Sequence, residues 1–244
     1  MLEELPGLGV GRGGQEEPLT TLKTFRVSPL LPPGPIEAFG YRAFQGFFRL
    51  ALRTVWHMSL ADVRDLPEGP VIVAANHRSF LDPLVMGSAV ERRVTFMMTA
   101  RYYDLPALNA FFRMSRCIVV DDLADKTMAT LRDSLEVLEA GHVLGIFPEG
   151  HISPDGRMRP AQPGMAWLAR RSGAPVFPMW LGGTREALAK GDRRLHASRV
   201  VVRMGAPRRA DDFGRGRQAE AALTRAIEQD IARLGDVPLP PAAE

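Results

Sequence analysis

From residue 69 onward, short apolar runs alternate with amphipathic stretches. The runs fall at 70–75, 94–98, 117–120, 143–147, 175–180 and 199–203. Segments of this length, bounded by Gly, Pro and polar clusters, predict buried strands. The intervening stretches near 83–90, 105–114, 126–140 and 163–172 predict helices, as does a last stretch at roughly 216–234. The 126–140 pattern is the clearest: Met128, Leu131, Leu135 and Leu138 line one face, and Gly141 supplies a C-terminal stop. Strand–helix alternation predicts an α/β fold, a mixed and mostly parallel central sheet flanked by helices.

Upstream, the period changes. At about 100° per residue, Phe44, Phe47, Phe48, Ala51, Leu52 and Val55 gather on one face of a helix over 36–58, with Arg42, Arg49 and Arg53 opposite. Two readings fit: a helix packed on the core with a solvated back, or an interfacial helix with aromatics in the acyl boundary and arginines at phosphates. Residues 1–35 are rich in Gly and Pro without a hydrophobic period, which predicts a flexible arm. Gly9, Gly11 and Gly14 there match a dinucleotide fingerprint, but Pro18 and the Pro32-Pro33 pair leave it no flanking strand and helix. The expected organisation is therefore an arm at 1–35, an amphipathic membrane-docking helix at 36–58, a main domain at 59–210, and a C-terminal helix with a loose tail at 211–244.

Composition narrows the partners. The 244 residues are 45% apolar and 24% charged, enough to bury a core, with net charge +3 and pI near 9.4. That balance is too diffuse for a nucleic-acid surface but suits anionic headgroups. One cysteine, Cys117 in an apolar run, excludes a disulfide framework and a thiolate metal cage, and favours a reducing, cytoplasmic setting. The start, Met1–Glu4, lacks the apolar core of a secretory signal, and no run reaches the roughly 18 apolar residues needed to span a bilayer. Membrane contact is thus expected at the surface, and no metal site is expected.

Two strand ends carry chemistry. The 70–75 run leads into Asn76-His77-Arg78-Ser79-Phe80-Leu81-Asp82-Pro83, at the carboxyl edge where open α/β sheets bind ligands. Asp82 and Pro83 read as N-cap and first helical residue. The turn would fold the carboxylate back onto the imidazole, leaving the other ring nitrogen as a base for a lipid hydroxyl. An isolated His and Asp at this spacing is more often a cap and a polar strand end, by roughly ten to one. The second end is Phe147-Pro148-Glu149-Gly150, where Pro148 stops the ladder and Gly150 permits a tight turn. Together with a third proline-bearing strand at Val176-Phe177-Pro178, these ends predict one convergent site.

Asn-His-x-Ser-x-x-Asp-Pro and Phe-Pro-Glu-Gly at this separation resemble the glycerolipid acyltransferases of 1-acylglycerol-3-phosphate type, with the H-x4-D motif. The resemblance covers residues 36–207. It implies His77 as base, Asp82 as its orienter and Glu149 as an acceptor-binding group. It also places the neighbouring Asn76, Arg78, Ser79, Thr99, Ala100, Arg101, Phe147, Pro148, Gly150 and His151 at the substrates. It implies acyl-CoA or acyl carrier protein as co-substrate rather than a bound cofactor, and a lysophospholipid acceptor. The setting implied is the cytoplasmic face of the cell membrane, held peripherally or monotopically. Where the family continues Thr-Arg-Ser, this chain has His151-Ile152-Ser153; where it often has an arginine after its second motif, this chain has Asp121-Asp122. An arginine–phosphate contact needs Arg101, Arg116, Arg157 or Arg159 instead, or an acceptor with a different headgroup. The motif ending His-Ile-Ser also resembles lysophosphatidylethanolamine-type members. Two other readings stand beside this one: an acyl-ester hydrolase, though no G-x-S-x-G elbow is present, and a non-catalytic lipid-binding protein at the membrane surface.

Overall fold

The computed structural model describes residues 34–99, 114–120, 127–192 and 194–240. Residues 1–33 of the expected arm, Ala100, Arg101, most of the helix expected at 105–114 and the Asp121-Asp122 pair lie outside them. In chain order come α1 (Pro35–Val55), β1 (Ser59–Ala61), β2 (Val71–Ala75), α2 (Asp82–Ala89), β3 (Val94–Thr99) and β4 (Ile118–Val120). They are followed by α3 (Thr127–Glu139), β5 (Val143–Ile146), α4 (Gly164–Ser172), β6 (Val176–Gly182), α5 (Thr184–Ala187), β7 (Val201–Met204) and α6 (Arg217–Gly235).

The sheet runs β1-β7-β6-β2-β5-β3-β4. Every neighbouring pair is parallel except β6 and β7. Strands β2, β5, β6, β3 and β4 therefore end at one edge. The alternation of side chains along a strand feeds two cores. Val73, Ala75, Phe177 and Met179 face α1 and α2, while Ile72, Ala74, Leu144 and Trp180 face α3, α4 and α6. Cys117 lies buried in the first core, where loss of solvent pushes its thiol up to about 12.

The proline-bearing strand runs two residues past the apolar run at 175–180, to Gly182, and the Pro178 carbonyl accepts the Gly205 N–H. Two expectations need correction. Met128 is 55% exposed, so the buried face of α3 rests on Leu138 with Leu131 and Leu135 beside it. The first helix ends at Val55, three residues short of 58, and His57 follows it with φ +45°.

Helix α1 also divides its apolar residues differently. Tyr41 and Leu52 are buried, Phe44 and Phe48 pack partly against the core, and the Gln45 amide donates to the carbonyls of Gly87 and Val90 at the end of α2. Phe47 and Val55, expected on that face, point outward at 66% and 54% exposure, together with Phe39 and Leu50. Burial of each large apolar side chain contributes about 1.5–3 kcal/mol. The inner residues thus outweigh the surface clamp at the helix start, where Glu37 binds Arg93 at 2.7 Å and Arg116 at 2.8 Å.

Candidate active site

Strand β2 delivers His77 two residues past its end. The ring is stacked on Phe147, with centroids 4.0 Å apart and planes 16° apart. Phe147 in turn lies parallel to Phe96 at 6.3 Å. Gly145 makes the stack possible, because a Cβ there would stand 2.5 Å from the Phe96 ring. An absent side chain on β5 thereby sets the tilt of the imidazole.

The predicted His–Asp contact is present: Nδ1 of His77 lies 2.9 Å from Oδ2 of Asp82. The same oxygen accepts the backbone N–H groups of Arg78 at 2.6 Å and Ser79 at 2.7 Å. Asp82 is fully buried. It is not the N-cap expected from the sequence: α2 begins at Asp82 itself, Leu81 precedes it, and the carboxylate turns back into the loop instead of onto the helix. The oxygen that takes both backbone N–H groups serves as an acceptor, so Nδ1 donates the ring proton to it and Nε2 is the free nitrogen of the ring. Nε2 has no partner among the described residues, and the side chain is 15% exposed, so a hydroxyl can reach it.

Asn76 and Ser79, expected at the substrates, are buried and committed to the scaffold. The Asn76 side chain donates to the Leu181 carbonyl at 2.9 Å and accepts the Leu181 N–H at 2.8 Å, continuing the β2–β6 ladder beyond β2. The Ser79 hydroxyl donates to the Leu188 carbonyl and accepts the Leu81 N–H. Arg78 lies with its guanidinium carbon 5.5 Å from the Trp180 ring centroid, and its Nε is buried without a hydrogen-bond partner among the described residues.

The β5 exit closes the other side. Oε1 of Glu149 accepts the His77 N–H at 2.9 Å, and Oε2 accepts the Arg159 N–H at 3.2 Å. Burial pushes this carboxyl up to about 7, against the pull of those two N–H groups. Gly150 takes φ +76° in the turn, and the Pro148 carbonyl accepts the Gln162 N–H. His151 is exposed at the rim, Ile152 is buried, and the Ser153 N–H donates to the His77 carbonyl at 2.9 Å. Thr99 ends β3, and Ala100 and Arg101 lie outside the described residues.

Arg116 is removed from the site. It precedes β4 at the opposite edge and is bound to Glu37. Two cations that the sequence did not single out stand nearer. Arg185 donates to the Pro154 carbonyl at 3.2 Å and Lys190 to the Ile152 carbonyl at 3.3 Å. Both follow β6 and belong to no motif, and the sheet order alone brings them beside the β5 exit.

An imidazole held by a buried carboxylate at the carboxyl edge of an α/β sheet is an arrangement chemically able to take a proton from a hydroxyl. The chain belongs to the Acyltransferase family, whose model matches residues 57–182. Among curated relatives, the chloroplastic 1-acyl-sn-glycerol-3-phosphate acyltransferase BAT2 of Brassica napus is 24% identical over 149 residues, 60% of this chain and 43% of that protein. The 1-acyl-sn-glycerol-3-phosphate acyltransferase of Limnanthes alba is 31% identical over 110 residues, 44% of this chain and 39% of that protein. The chain thus spans less than half the length of these relatives. The crystal structure of the 1-acyl-sn-glycerophosphate acyltransferase PlsC of Thermotoga maritima superposes with TM-score 0.69 at 21% identity, covering 86% of this chain and 85% of that one, which establishes a shared fold.

Proposed function

We propose that the protein transfers a fatty acyl group from a thioester donor, acyl-CoA or acyl carrier protein, to the hydroxyl of 1-acylglycerol-3-phosphate or a closely related lysophospholipid. The observation that carries this reading is the 2.9 Å His77–Asp82 contact with Nε2 left open. Nε2 takes the hydroxyl proton as the oxygen attacks the thioester carbonyl. The carbon–oxygen bond forms, the carbon–sulfur bond breaks, and the departing thiolate recovers the proton from the imidazolium. No enzyme nucleophile takes part.

The names of the curated relatives support a phosphomonoester acceptor, although Ile152 occupies the position of the family arginine. Arg185 and Lys190 supply the missing charge in this reading. They flank the peptide groups of Ile152 and Pro154, and neither has a carboxylate partner among the described residues. Arg78 adds a third cation at the same edge.

A bilayer surface is the proposed platform. At 100° per residue, Phe39, Phe47 and Leu50 fall within about 80° of one another on the outer side of α1, next to exposed Arg42 and Arg53. No described helix is long and apolar enough to cross a membrane. The proposed location is the cytoplasmic face of the membrane.

Purified protein with labelled acyl-CoA and lysophosphatidate vesicles tests the chemistry. His77→Ala is expected to lower kcat by roughly 10²–10⁴-fold at unchanged thermal stability. Transfer by that variant at the wild-type rate rejects the proposal.

A further inference from the structure

We infer that Glu149 is a positioning residue, which holds the main chain of His77 in place, and not a ligand of the acceptor. The inference rests on the acyl-transfer reading above and changes the role that the family resemblance implies for this glutamate.

The β2–β5 ladder has its last registered pair at Ala74 and Ile146. Beyond it the chain turns its carbonyls into its own loop: that of Phe147 accepts the Gly150 N–H at 3.0 Å and that of Pro148 the Gln162 N–H at 2.8 Å. The main chain after β5 therefore does not continue the ladder to the His77 N–H. Glu149 does so instead with Oε1, at 2.9 Å. Its second oxygen accepts the Arg159 N–H, fastening the loop ten residues further on to the same carboxylate. The His77 carbonyl receives the Ser153 N–H. Both backbone groups of the proposed base are thus held by the loop that follows β5, one of them through a side chain.

The carboxylate is also out of reach. Glu149 is 4% exposed, and both oxygens are already aimed at amides. Gly150 completes the enclosure: a Cβ there would stand 2.5 Å from Nε2 of Gln162, in addition to the positive φ. A group so enclosed can act on the acceptor only through His77. Orientation is worth a great deal here, since a displacement of about 1 Å at a reacting group costs on the order of 10²-fold in rate.

The test uses the full chain and the near-isosteric Glu149→Gln, whose amide can still accept one N–H but presents a donor to the other. In steady-state transfer from labelled acyl-CoA to lysophosphatidate, kcat is expected to fall about 10²-fold, while the acceptor KM stays within about twofold. The His77 ring resonances of the substrate-free variant are expected to shift, a change that an acceptor-binding role would not produce. A tenfold or larger rise in acceptor KM with kcat preserved overturns the inference, as do unchanged His77 resonances. Amide exchange in the wild-type protein provides a second measurement if the variant does not fold. The His77 and Arg159 amides should exchange slowly, and exchange at the rate of an exposed loop overturns the clamp. Neither spectroscopic readout requires turnover, so a wild-type protein inactive on lysophosphatidate would reject the acyl-transfer reading and leave the clamp separately decided.

Discussion

Two glutamates at opposite edges of the same sheet show how this fold distributes charge. At the amino edge, Glu37 is partly exposed and pairs with Arg93 and Arg116; the Arg116 contact, foremost, holds its carboxyl down at about 2. At the carboxyl edge, Glu149 is buried and bonded only to neutral N–H groups, and burial drives it up to about 7. The first arrangement neutralises its cations. The second leaves the nearby cations, Arg78, Arg185 and Lys190, without carboxylate partners among the described residues. One edge is closed electrostatically, and the other keeps the positive charge that the proposed phosphate-bearing acceptor would meet.

The largest effect that sharpens this contrast is expected at Asp82. Asp82→Asn places an amide where three N–H groups converge and removes the acceptor that fixes the imidazole tautomer. A fall in kcat of roughly 10⁴-fold, with the acceptor KM little changed, is expected from steady-state kinetics. A fall of less than tenfold would mean that the buried carboxylate does not serve the base.

The next effect is on stability as a function of pH. The folded-state value of Glu149, about 7, lies above the ordinary 4.5. Between those values the folded protein holds a proton that the unfolded chain has released, so stability falls as pH rises through the window. Burial dominates this shift; the facing Asp82 carboxylate adds to it, and the Arg78 guanidinium and the two amides oppose it. Glu149→Gln should lack the decline, the two proteins diverging by about 1–3 kcal/mol in urea titrations between pH 4.5 and 7. Parallel curves would show that the carboxyl ionises freely.

The smallest effect is expected at the other edge. Glu37→Gln should cost at most about 1 kcal/mol, less in high salt, with transfer activity unchanged. Here the sign is opposite. The folded value lies below 4.5, so the stabilisation is complete above that pH and disappears as pH falls toward 2. Urea titrations at two salt concentrations measure it, and a large loss of activity would break the separation of the two edges.

The chemistry-bearing strand ends were legible because their signals are local. The runs ending at Ala75 and Ile146 are apolar and bounded, and the residues after them are polar or turn-forming. The periodicity of α3 and its stop at Gly141 were legible for the same reason. Strand β1 was not: Ser59-Leu60-Ala61 has no apolar run and becomes a strand only by pairing with Val201–Arg203. The outward turn of Phe47 was hidden because a helix with apolar residues around most of its circumference does not reveal which arc meets the core. Asp82 followed by Pro83 matched a cap, yet the tight loop of residues 77–81 brought its N–H groups to the carboxylate first. Arg185 and Lys190 carried no pattern at all, because their place beside Ile152 comes from strand order.

Gly145 shows how far control of the imidazole extends from any ionisable atom. It contributes no polar side chain, yet the ring of Phe96 occupies the space its Cβ would fill, and Phe147 and His77 are layered above in sequence. An added methyl at that strand position would lift the lowest plate of the stack and tip the uppermost one. The aim of the proton acceptor is thus governed from beneath by a hydrogen atom in the middle of the sheet.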